Sequence, residues 1–407
     1  MPKLLWMSPY SLHDISSGAS IHCRYILESL QQAGFEVWAF SSFVFDRPYG
    51  GTTTFGDLEK LYERQPEARI FELNDRGLHY IYLKNKTTTE MQRSCNEQME
   101  YFERFCEILD LYQPDIVLGY GTGMDSYTCF AEAKRRGIAT VYLLLNGKHG
   151  HFSFPHLDLV LTDSNTTAQL YAQRDHINCT PIGQFINPKY VVAKERKPQY
   201  VTMVNPDFAK GVSITAKLAQ RCAEIMPDLK FLVVNSRSNF MTNVQYLHSK
   251  DDTEQHPFAA QSFPNVLMCQ STHDMRLVYE QTKVALVPSL SYESWGRIVS
   301  EALLNDIPVL SSNIGGLPEA LNGGGIALAP PQHCLEDLTS LPSDEEIEPW
   351  VQALQRLLNE DWSEKVKQAR TNVDLPRLTR NLINILIPLC QQRSTRYHQR
   401  AYRGDHI

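Results

Sequence analysis

Short apolar runs alternate with helical patterns along the chain, and this alternation constrains the fold more than any other feature of the sequence. Lys3 to Ser8 (KLLWMS) has the composition of a strand, and a turn from Ser16 to Gly18 follows it. An amphipathic stretch from Ile21 to Ala33 then leads to a second apolar run that starts at Phe35. Strand, turn, helix and strand in this order form a βαβ unit, which predicts a parallel sheet with right-handed crossovers.

The same alternation continues through the first half of the chain. Further strands are predicted at Asp115 to Leu118, Thr140 to Leu145 and Leu157 to Leu161. Helical patterns occur at Glu97 to Leu111, Asp125 to Arg136 and Asn165 to Gln173. We therefore predict a doubly wound α/β layer for this half.

A second series of the same kind follows a predicted linker, Asn187 to Gln199, which has two prolines and a charge cluster. Its strands are predicted at Tyr200 to Val204, Phe231 to Val234, Asn265 to Met268, Val284 to Val287 and Pro308 to Leu310. The tail from Glu345 to Leu389 has a helical pattern, and its last helix begins at Leu375. A second α/β layer is the consequence.

The length of the chain supports two domains. It has 407 residues, of which 43% are hydrophobic, and single cores stop growing at about 250 to 300 residues. The predicted fold class is α/β, with two Rossmann-like domains facing each other across a cleft. We place the first domain at residues 1–190 and the second at 200–374, with the C-terminal helix, about 375–407, packing back on the first domain.

Composition excludes several classes of protein. The net charge of −7 argues against a nucleic-acid-binding protein, which needs a basic face. Nine scattered cysteines without a C-x-x-C pair indicate thiols in a reducing cytoplasm. Met1 to Ser8 lacks the features of a signal peptide, and no apolar stretch reaches the ~18 residues that span a bilayer. We therefore expect a cytoplasmic protein. The tail from Arg393 to Arg403 is either solvated or makes a peripheral contact with an anionic membrane leaflet or a partner protein.

The window from Pro288 to Glu319 is the most informative part of the sequence. Glu293 falls in a loop after a predicted strand, and Glu301 falls about two turns into a helix that begins near Gly296. Carboxylates in such positions suit a vicinal diol, and free amides at a helix start suit phosphate oxygens. Two glutamates eight residues apart are nevertheless common, and taken alone they favour a solvated helix face.

The wider window resembles the E-x7-E signature of retaining family-4 GT-B glycosyltransferases, the glycosyl transferases group 1. The matching positions are Pro288-Ser289, Glu293, Gly296, Glu301-Ala302, Ile307-Pro308-Val309, Gly315-Gly316 and Pro318-Glu319. The resemblance covers the second domain and, more loosely, the first, and it implies that the first is the acceptor-side domain and the second the nucleotide-sugar-binding domain. It implies transfer of a sugar from a nucleotide-sugar donor, UDP- or GDP-linked, with retention of anomeric configuration.

The resemblance also implies roles for residues of this window. Glu301 would hold the ribose hydroxyls, and Glu293 would contact the transferred sugar together with the segment Ser294 to Arg297, which contains Trp295 and Gly296. Gly315 and Gly316 would keep the backbone clear of the nucleotide, because a Cβ there would intrude on the ligand.

The resemblance also assigns a role to a lysine that precedes the first helix of the second domain. Lys210 precedes a predicted helix from Val212 to Ile225, where the family has a lysine that neutralises the leaving diphosphate. The family's arginine five residues earlier is replaced by Asn205, with Arg237 or Arg297 as candidate substitutes. An exposed lysine at a helix start is the alternative interpretation.

Two positions of the first domain are less distinctive. Gly18 occupies the family's glycine-rich loop, whose backbone amide meets the β-phosphate, but a glycine in a turn is also ordinary turn geometry. Where many members place a histidine after a strand, this chain has Asn146, and His149 or His151 is the nearest candidate for the catalytic position. We expect Lys210, Glu293 and His149 to be the catalytic residues.

Several alternatives stay open. A GT-B epimerase or phosphorylase shares the fold, and a nucleotide-sugar-binding subunit that supports a partner enzyme would explain Asn205. The chain has no D-x-D motif, so no metal and no cofactor beyond the donor are expected. The sequence does not identify the acceptor, which is a glycan, a lipid-linked sugar or a protein. We predict that the loops Phe43 to Asp57 and Asn74 to Thr89 select it. The aromatic and glycine content of these loops indicates mobility.

Overall fold

The structure is a computed structural model that describes residues 1–149, 156–272 and 274–402, with the side chains of 392–402 left out of the description. Its contacts divide the chain into two compact units. The first contains Met1–Asp163, Ala168–Phe185 and Leu375–Ile407, and the second contains Ser164–Thr167 and Ile186–Asp374. His151 and the arginine side chains of the tail lie outside the described residues.

The first unit is a mostly parallel α/β layer. Its strands are β1 (Lys3–Met7), β2 (Glu36–Ser42), β3 (Ile70–Asp75), β4 (Leu78–Leu83), β5 (Ile116–Gly119), β6 (Ala139–Leu144), β7 (Leu159–Thr162) and β8 (Thr180–Pro181). Within the described residues they form one eight-stranded sheet in the order β3-β4-β2-β1-β5-β6-β7-β8, in which only the β3–β4 pair is antiparallel. The chain moves from β1 to β2 on one side, and the connection from β4 to β5 returns to the other side of β1, which defines a switch point between β1 and β5.

Helices connect these strands. They are α1 (Gly18–Gln32), α2 (Thr52–Phe55), α3 (Leu58–Arg64), α4 (Cys95–Tyr112), α5 (Met124–Arg135) and α6 (Asn165–Asp175). The Ser17 hydroxyl caps α1 by accepting the N–H of Ser20, and a capping box formed by Ser94 and Glu97 starts α4. These caps fix where each helix leaves its loop.

The second unit has a wholly parallel sheet. Its strands are β9 (Tyr200–Val204), β10 (Lys230–Asn235), β11 (Val266–Gln270), β12 (Thr282–Val287), β13 (Val309–Ser312) and β14 (Gly325–Leu328). Among the described residues the order is β11-β10-β9-β12-β13-β14. The chain moves outward from β9 to β11 and returns to place β12 on the other side of β9.

The helices of the second unit flank this sheet. They are α7 (Pro188–Val191), α8 (Val212–Ile225), α9 (Phe240–Val244), α10 (Arg276–Gln281), α11 (Arg297–Leu304), α12 (Leu317–Leu321), α13 (Gln332–Glu336), α14 (Asp344–Asn359) and α15 (Ser363–Ala369). The last helix of the chain, α16 (Leu375–Tyr402), belongs to the first unit, where it packs against α1 and buries Leu382 and Leu386. Helix α8 has the bounds that its sequence pattern predicts.

Both cores consist of apolar strands covered by helices. Every residue of β5 and of β6 is buried, as expected for strands with helices on both faces. In the second unit Val201 and Met203 of β9 lie in a core with Val233 of β10 and Leu286 of β12. Burial of this apolar surface contributes about 25 cal/mol per Å² to the stability of each unit.

Part of the loop prediction for the first unit is wrong. The segment Asn74 to Thr89 contains strand β4, which pairs with both β2 and β3. In the segment Phe43 to Asp57, Phe43 and Phe45 are buried, and the Phe43 ring packs in an aromatic cluster rather than standing free. Aromatic residues here mark a core, which the sequence pattern did not distinguish from a binding loop.

Candidate functional site

The switch point of the second sheet lies between β9 and β12. In open α/β sheets ligands bind outside the carboxyl ends of the strands at such a point, because the two neighbouring loops diverge there. The loop after β9 carries Lys210, the loop after β12 carries Glu293, and the loop after β13 carries Gly315. Residues selected from separate parts of the sequence therefore emerge from adjacent strands.

The loop after β9 is held in a defined conformation. The Asp207 side chain accepts the N–H of Ala209 and starts a 3-10 turn, Phe208–Lys210. The Ala209 carbonyl accepts the N–H groups of Leu290 and Ser291, at 3.0 and 3.2 Å. Lys210 is thereby fixed against the segment that follows β12.

Gly211 makes this close approach feasible. Its φ is +82°, and a Cβ at this position would lie 1.9 Å from the Pro288 carbonyl oxygen. Only glycine fits both the left-handed backbone and the backbone contact. In the Lys210-Gly211 pair, Gly211 therefore permits the close packing of the loop and Lys210 supplies the positive charge.

Lys210 and Glu293 form an ion pair between the Lys210 Nζ and the Glu293 Oε1 atoms. The Ser289 hydroxyl donates to the same oxygen at 2.8 Å. The Lys210 side chain is 41% exposed and that of Glu293 is 18% exposed. Solvent reaches the pair, so an anionic or hydroxylated ligand can compete for either partner.

The glycine pair after β13 packs against the Glu293 loop. A Cβ on Gly315 would lie 2.2 Å from the Glu293 carbonyl oxygen, and one on Gly316 would lie 2.1 Å from that of Ser294. The Gly316 N–H donates to the Glu293 carbonyl at 2.7 Å. The protein backbone by itself therefore requires glycine at both positions, and clearance of a nucleotide by these glycines stays a prediction.

Helix α11 presents the second glutamate. It begins at Arg297 after the N-cap Gly296, so Glu301 is its fifth residue and lies just over one turn in, not two as predicted. Only 2% of the Glu301 side chain is exposed. Its Oε1 accepts from the Arg297 Nε, and its Oε2 accepts from the Tyr279 hydroxyl at 2.7 Å.

Other predicted donor-binding residues have their own contacts. The Trp295 side chain is buried, and its indole N–H donates to the Ser300 hydroxyl at 2.8 Å, so the ring belongs to the core. The Ser294 backbone lies against Gly316. Asn205 has a φ of +62° and accepts the backbone N–H of Arg237, which ties the loop after β9 to the loop after β10.

Two predicted residues belong to the first unit. Gly18 is the exposed first residue of α1; a Cβ at this position would meet no other atom within 4 Å, and its φ is outside the left-handed region. Neither packing nor turn geometry therefore requires this glycine. His149 is buried, with its Nε2 3.0 Å from the Tyr142 hydroxyl and its backbone N–H donated to the Tyr171 hydroxyl.

Comparisons with known proteins agree with this geometry. Residues 190–365 match the family model described as Glycosyl transferases group 1. This match lies within the second unit. A search of curated proteins by sequence gave no match.

Solved structures extend the glycosyltransferase comparison to the whole chain. A glycosyltransferase from Rickettsia africae has 16% identity and a TM-score of 0.63, over 95% of this chain and 98% of that one. Sucrose-phosphate synthase from Thermosynechococcus elongatus has 16% identity and a TM-score of 0.60, over 98% and 99%. HepE from Anabaena in complex with UDP has 14% identity and a TM-score of 0.62, over 95% and 100%.

The solved structures confirm the predicted α/β fold class, a GT-B fold with two Rossmann-like domains. The family match at residues 190–365 supports the predicted enzyme class, a glycosyltransferase. No group of three or more His, Cys, Asp or Glu residues in the described part of the chain is arranged to hold a metal ion. A search of the same residues found no helix long and apolar enough to cross a membrane.

Sequence reasoning missed two side chains that contact the candidate site residues Glu293 and Glu301. Ser289 was noted as part of the motif but was given no role, although it donates to Glu293. Tyr279 was not selected, because it lies in the short helix α10 and carries no motif of its own. Only the fold shows that its hydroxyl meets Glu301 across 22 residues of sequence.

Proposed function

We propose that this glycosyltransferase transfers a sugar from a UDP- or GDP-linked donor to a glycan, lipid-linked sugar or protein acceptor, with retention of anomeric configuration. The observation that carries the proposal is the ion pair of Lys210 and Glu293 at the switch point of the second sheet, with Glu301 on α11, the helix that follows the Glu293 loop. These are the residues that the signature and the preceding lysine select. HepE, which has a similar fold, was solved with UDP, and this supports testing uridine nucleotides first.

Glu301 is proposed to bind the ribose of the donor. Its carboxylate is fixed by Arg297 and Tyr279, one donor on each oxygen, and each oxygen keeps acceptor capacity for another donor. Two hydroxyls on adjacent carbons match two carboxylate oxygens side by side. Pre-organisation lowers the entropy lost when the nucleotide binds.

Lys210 is proposed to stabilise the diphosphate. As the bond between the anomeric carbon and the diphosphate oxygen breaks, negative charge accumulates on the leaving nucleotide. The Lys210 ammonium can move from Glu293 to that charge, because both side chains are partly exposed. Glu293 and Ser289 are then free to hydrogen-bond the hydroxyls of the transferred sugar.

The amides at the start of α11 are proposed to add to this binding. The helix dipole and the unpaired N–H groups of a first turn favour phosphate oxygens. Gly296 stands at that position as the N-cap of α11. In the first unit, Gly18 is proposed to offer its amide to the same class of ligand, and His149 is a proposed catalytic residue that still needs a test of its own.

A donor panel tests the proposal. UDP- and GDP-linked sugars are added to the wild type, Lys210→Ala and Glu301→Ala, and thermal unfolding is measured together with release of free nucleotide. We expect one donor to raise the melting temperature of the wild type as RT ln(1 + [L]/Kd), and to be hydrolysed slowly. Both effects should be lost in the variants.

Each other outcome has a definite meaning. Stabilisation without nucleotide release would indicate a binding subunit and contradict the transferase. No response to any donor would contradict nucleotide-sugar binding. A matched control is Lys217→Ala, which removes a lysine of the same unit that pairs with Asp344 on the surface and should leave donor binding unchanged.

A further inference from the structure

Tyr279 contacts the buried glutamate of the site from an element outside the signature. It lies in α10, three residues before β12, and is 1% exposed. Its hydroxyl donates to the Glu301 Oε2 atom at 2.7 Å. The contact joins the end of α10 to the middle of α11, so it depends on the packing of both helices on the same sheet.

The hydrogen bond between Tyr279 and Glu301 has only one possible direction. Burial raises the pKa of Tyr279 well above its usual range, and the adjacent Glu301 carboxylate raises it further. The phenol therefore remains protonated and donates, while the carboxylate accepts. The Oε2 atom cannot rotate away without leaving a buried hydroxyl unsatisfied, which is costly.

The other contacts of Glu301 restrict the same group. Arg297 donates its Nε–H to the Oε1 atom, and the Asn305 side chain donates to the Glu301 backbone carbonyl at 2.8 Å. The position of the helix and the rotation of the carboxylate are thus both determined. Each oxygen of the carboxylate can still accept one further hydrogen bond.

We propose that Tyr279 is a positioning residue that orients the Glu301 carboxylate to select a ribose cis-diol over a deoxyribose. This inference rests on the proposed function, since it assumes that Glu301 binds the sugar of a nucleotide. A freely rotating carboxylate would accept one hydroxyl almost as well as two. A fixed carboxylate requires both, and a nucleotide that lacks one hydroxyl leaves a buried acceptor unsatisfied.

The alternative is that Tyr279 only fills space in the core. Tyr279→Phe keeps the ring and removes the hydroxyl, so it separates the two roles. A role in packing alone would change the melting temperature without changing which nucleotide is preferred. Orientation of Glu301 would change the preference itself.

The test compares UDP with 2′-deoxy-UDP by calorimetric titration, and GDP with 2′-deoxy-GDP if the protein prefers guanine. We expect Tyr279→Phe to weaken binding of the ribonucleotide about tenfold while the deoxyribonucleotide changes about twofold or less, so that the preference falls. The KM for the donor should rise in parallel with little change in kcat. Tyr112→Phe, which removes a buried tyrosine hydroxyl in the first unit, should leave the preference unchanged.

A second variant covers poor folding of Tyr279→Phe. Arg297→Met removes the donor on the other oxygen from a side chain that is 20% exposed, and it should lower the same preference. Equal weakening of both nucleotides, or no change in either, would overturn the positioning role but leave the proposed function intact. Failure of the wild type to bind either diphosphate would overturn both.

Discussion

The two glutamates of the signature occupy contrasting environments. Glu293 stands in a loop and pairs with Lys210, a side chain that is 41% exposed, while Glu301 stands in a helix with 2% of its own side chain exposed. A partly exposed ion pair contributes little to stability and can exchange partners. A buried carboxylate with two fixed donors cannot. Glu293 can therefore change its partner when a ligand binds, whereas the Glu301 carboxylate is already oriented before the ligand binds.

The largest effect should come from removing each glutamate in turn. Glu301→Ala leaves the Tyr279 hydroxyl and the Arg297 guanidinium without their acceptor, and we expect a loss of about 3–5 kcal/mol of unfolding free energy. Glu293→Ala should cost less than about 1 kcal/mol, because Lys210 is solvated. Urea unfolding of both variants measures the difference. Equal losses would contradict the contrast.

A smaller effect distinguishes the glycines that hold the Glu293 loop from one that does not. In Gly211→Ala the Cβ meets the Pro288 carbonyl at a positive φ, and we expect a loss of about 1–3 kcal/mol. Gly18→Ala is the matched control, because its Cβ would have no neighbour within 4 Å. Its unfolding free energy should stay within about 0.5 kcal/mol of the wild type. Thermal unfolding of the two variants measures this difference. Similar losses of unfolding free energy would show that the contact of Gly211 with the Pro288 carbonyl does not require glycine.

The smallest effect concerns a charge pair of the second unit outside the signature. A hydrogen bond from the His248 ring to the Ser249 carbonyl, together with the nearby Asp337, raises the pKa of His248 above its ordinary value of 6.5. The stabilisation is therefore complete below pH 6.5 and is lost as the pH rises through the folded-state pKa. Relative to His248→Gln, the wild type should lose under about 1 kcal/mol over that rise. A difference that grows with pH would contradict the assignment.

The pattern of local elements was readable from the sequence, but the contacts between them were not. The strand before Glu293, the helix containing Glu301 and the helix after Lys210 follow from apolar periodicity and helix-start residues, which act over a few positions. Hairpin β3–β4 was missed because β3 is partly exposed, and because β4, although almost wholly buried, was interpreted as part of a loop.

Contacts across the site depend on tertiary packing. Tyr279 and Ser289 contribute through hydrogen bonds to glutamates. Tyr279 lies in no motif, and the motif that includes Ser289 does not indicate this contact. The resemblance selected Gly315 and Gly316 but did not show that backbone atoms of the Glu293 loop require glycine at both positions. Residue type restricts what a position can do, and the fold determines which of those options is used.

The most direct test of the contrast is the affinity for a nucleoside diphosphate in Glu293→Gln and Glu301→Gln. In the first variant Lys210 loses its internal partner and the site loses a negative charge, so UDP or GDP should bind about threefold to fivefold tighter than in the wild type. In the second variant the carboxylate for the ribose is gone, and binding should weaken by about tenfold or more. Opposite shifts would support an exchangeable glutamate beside a fixed one. Weaker binding in both variants would contradict it.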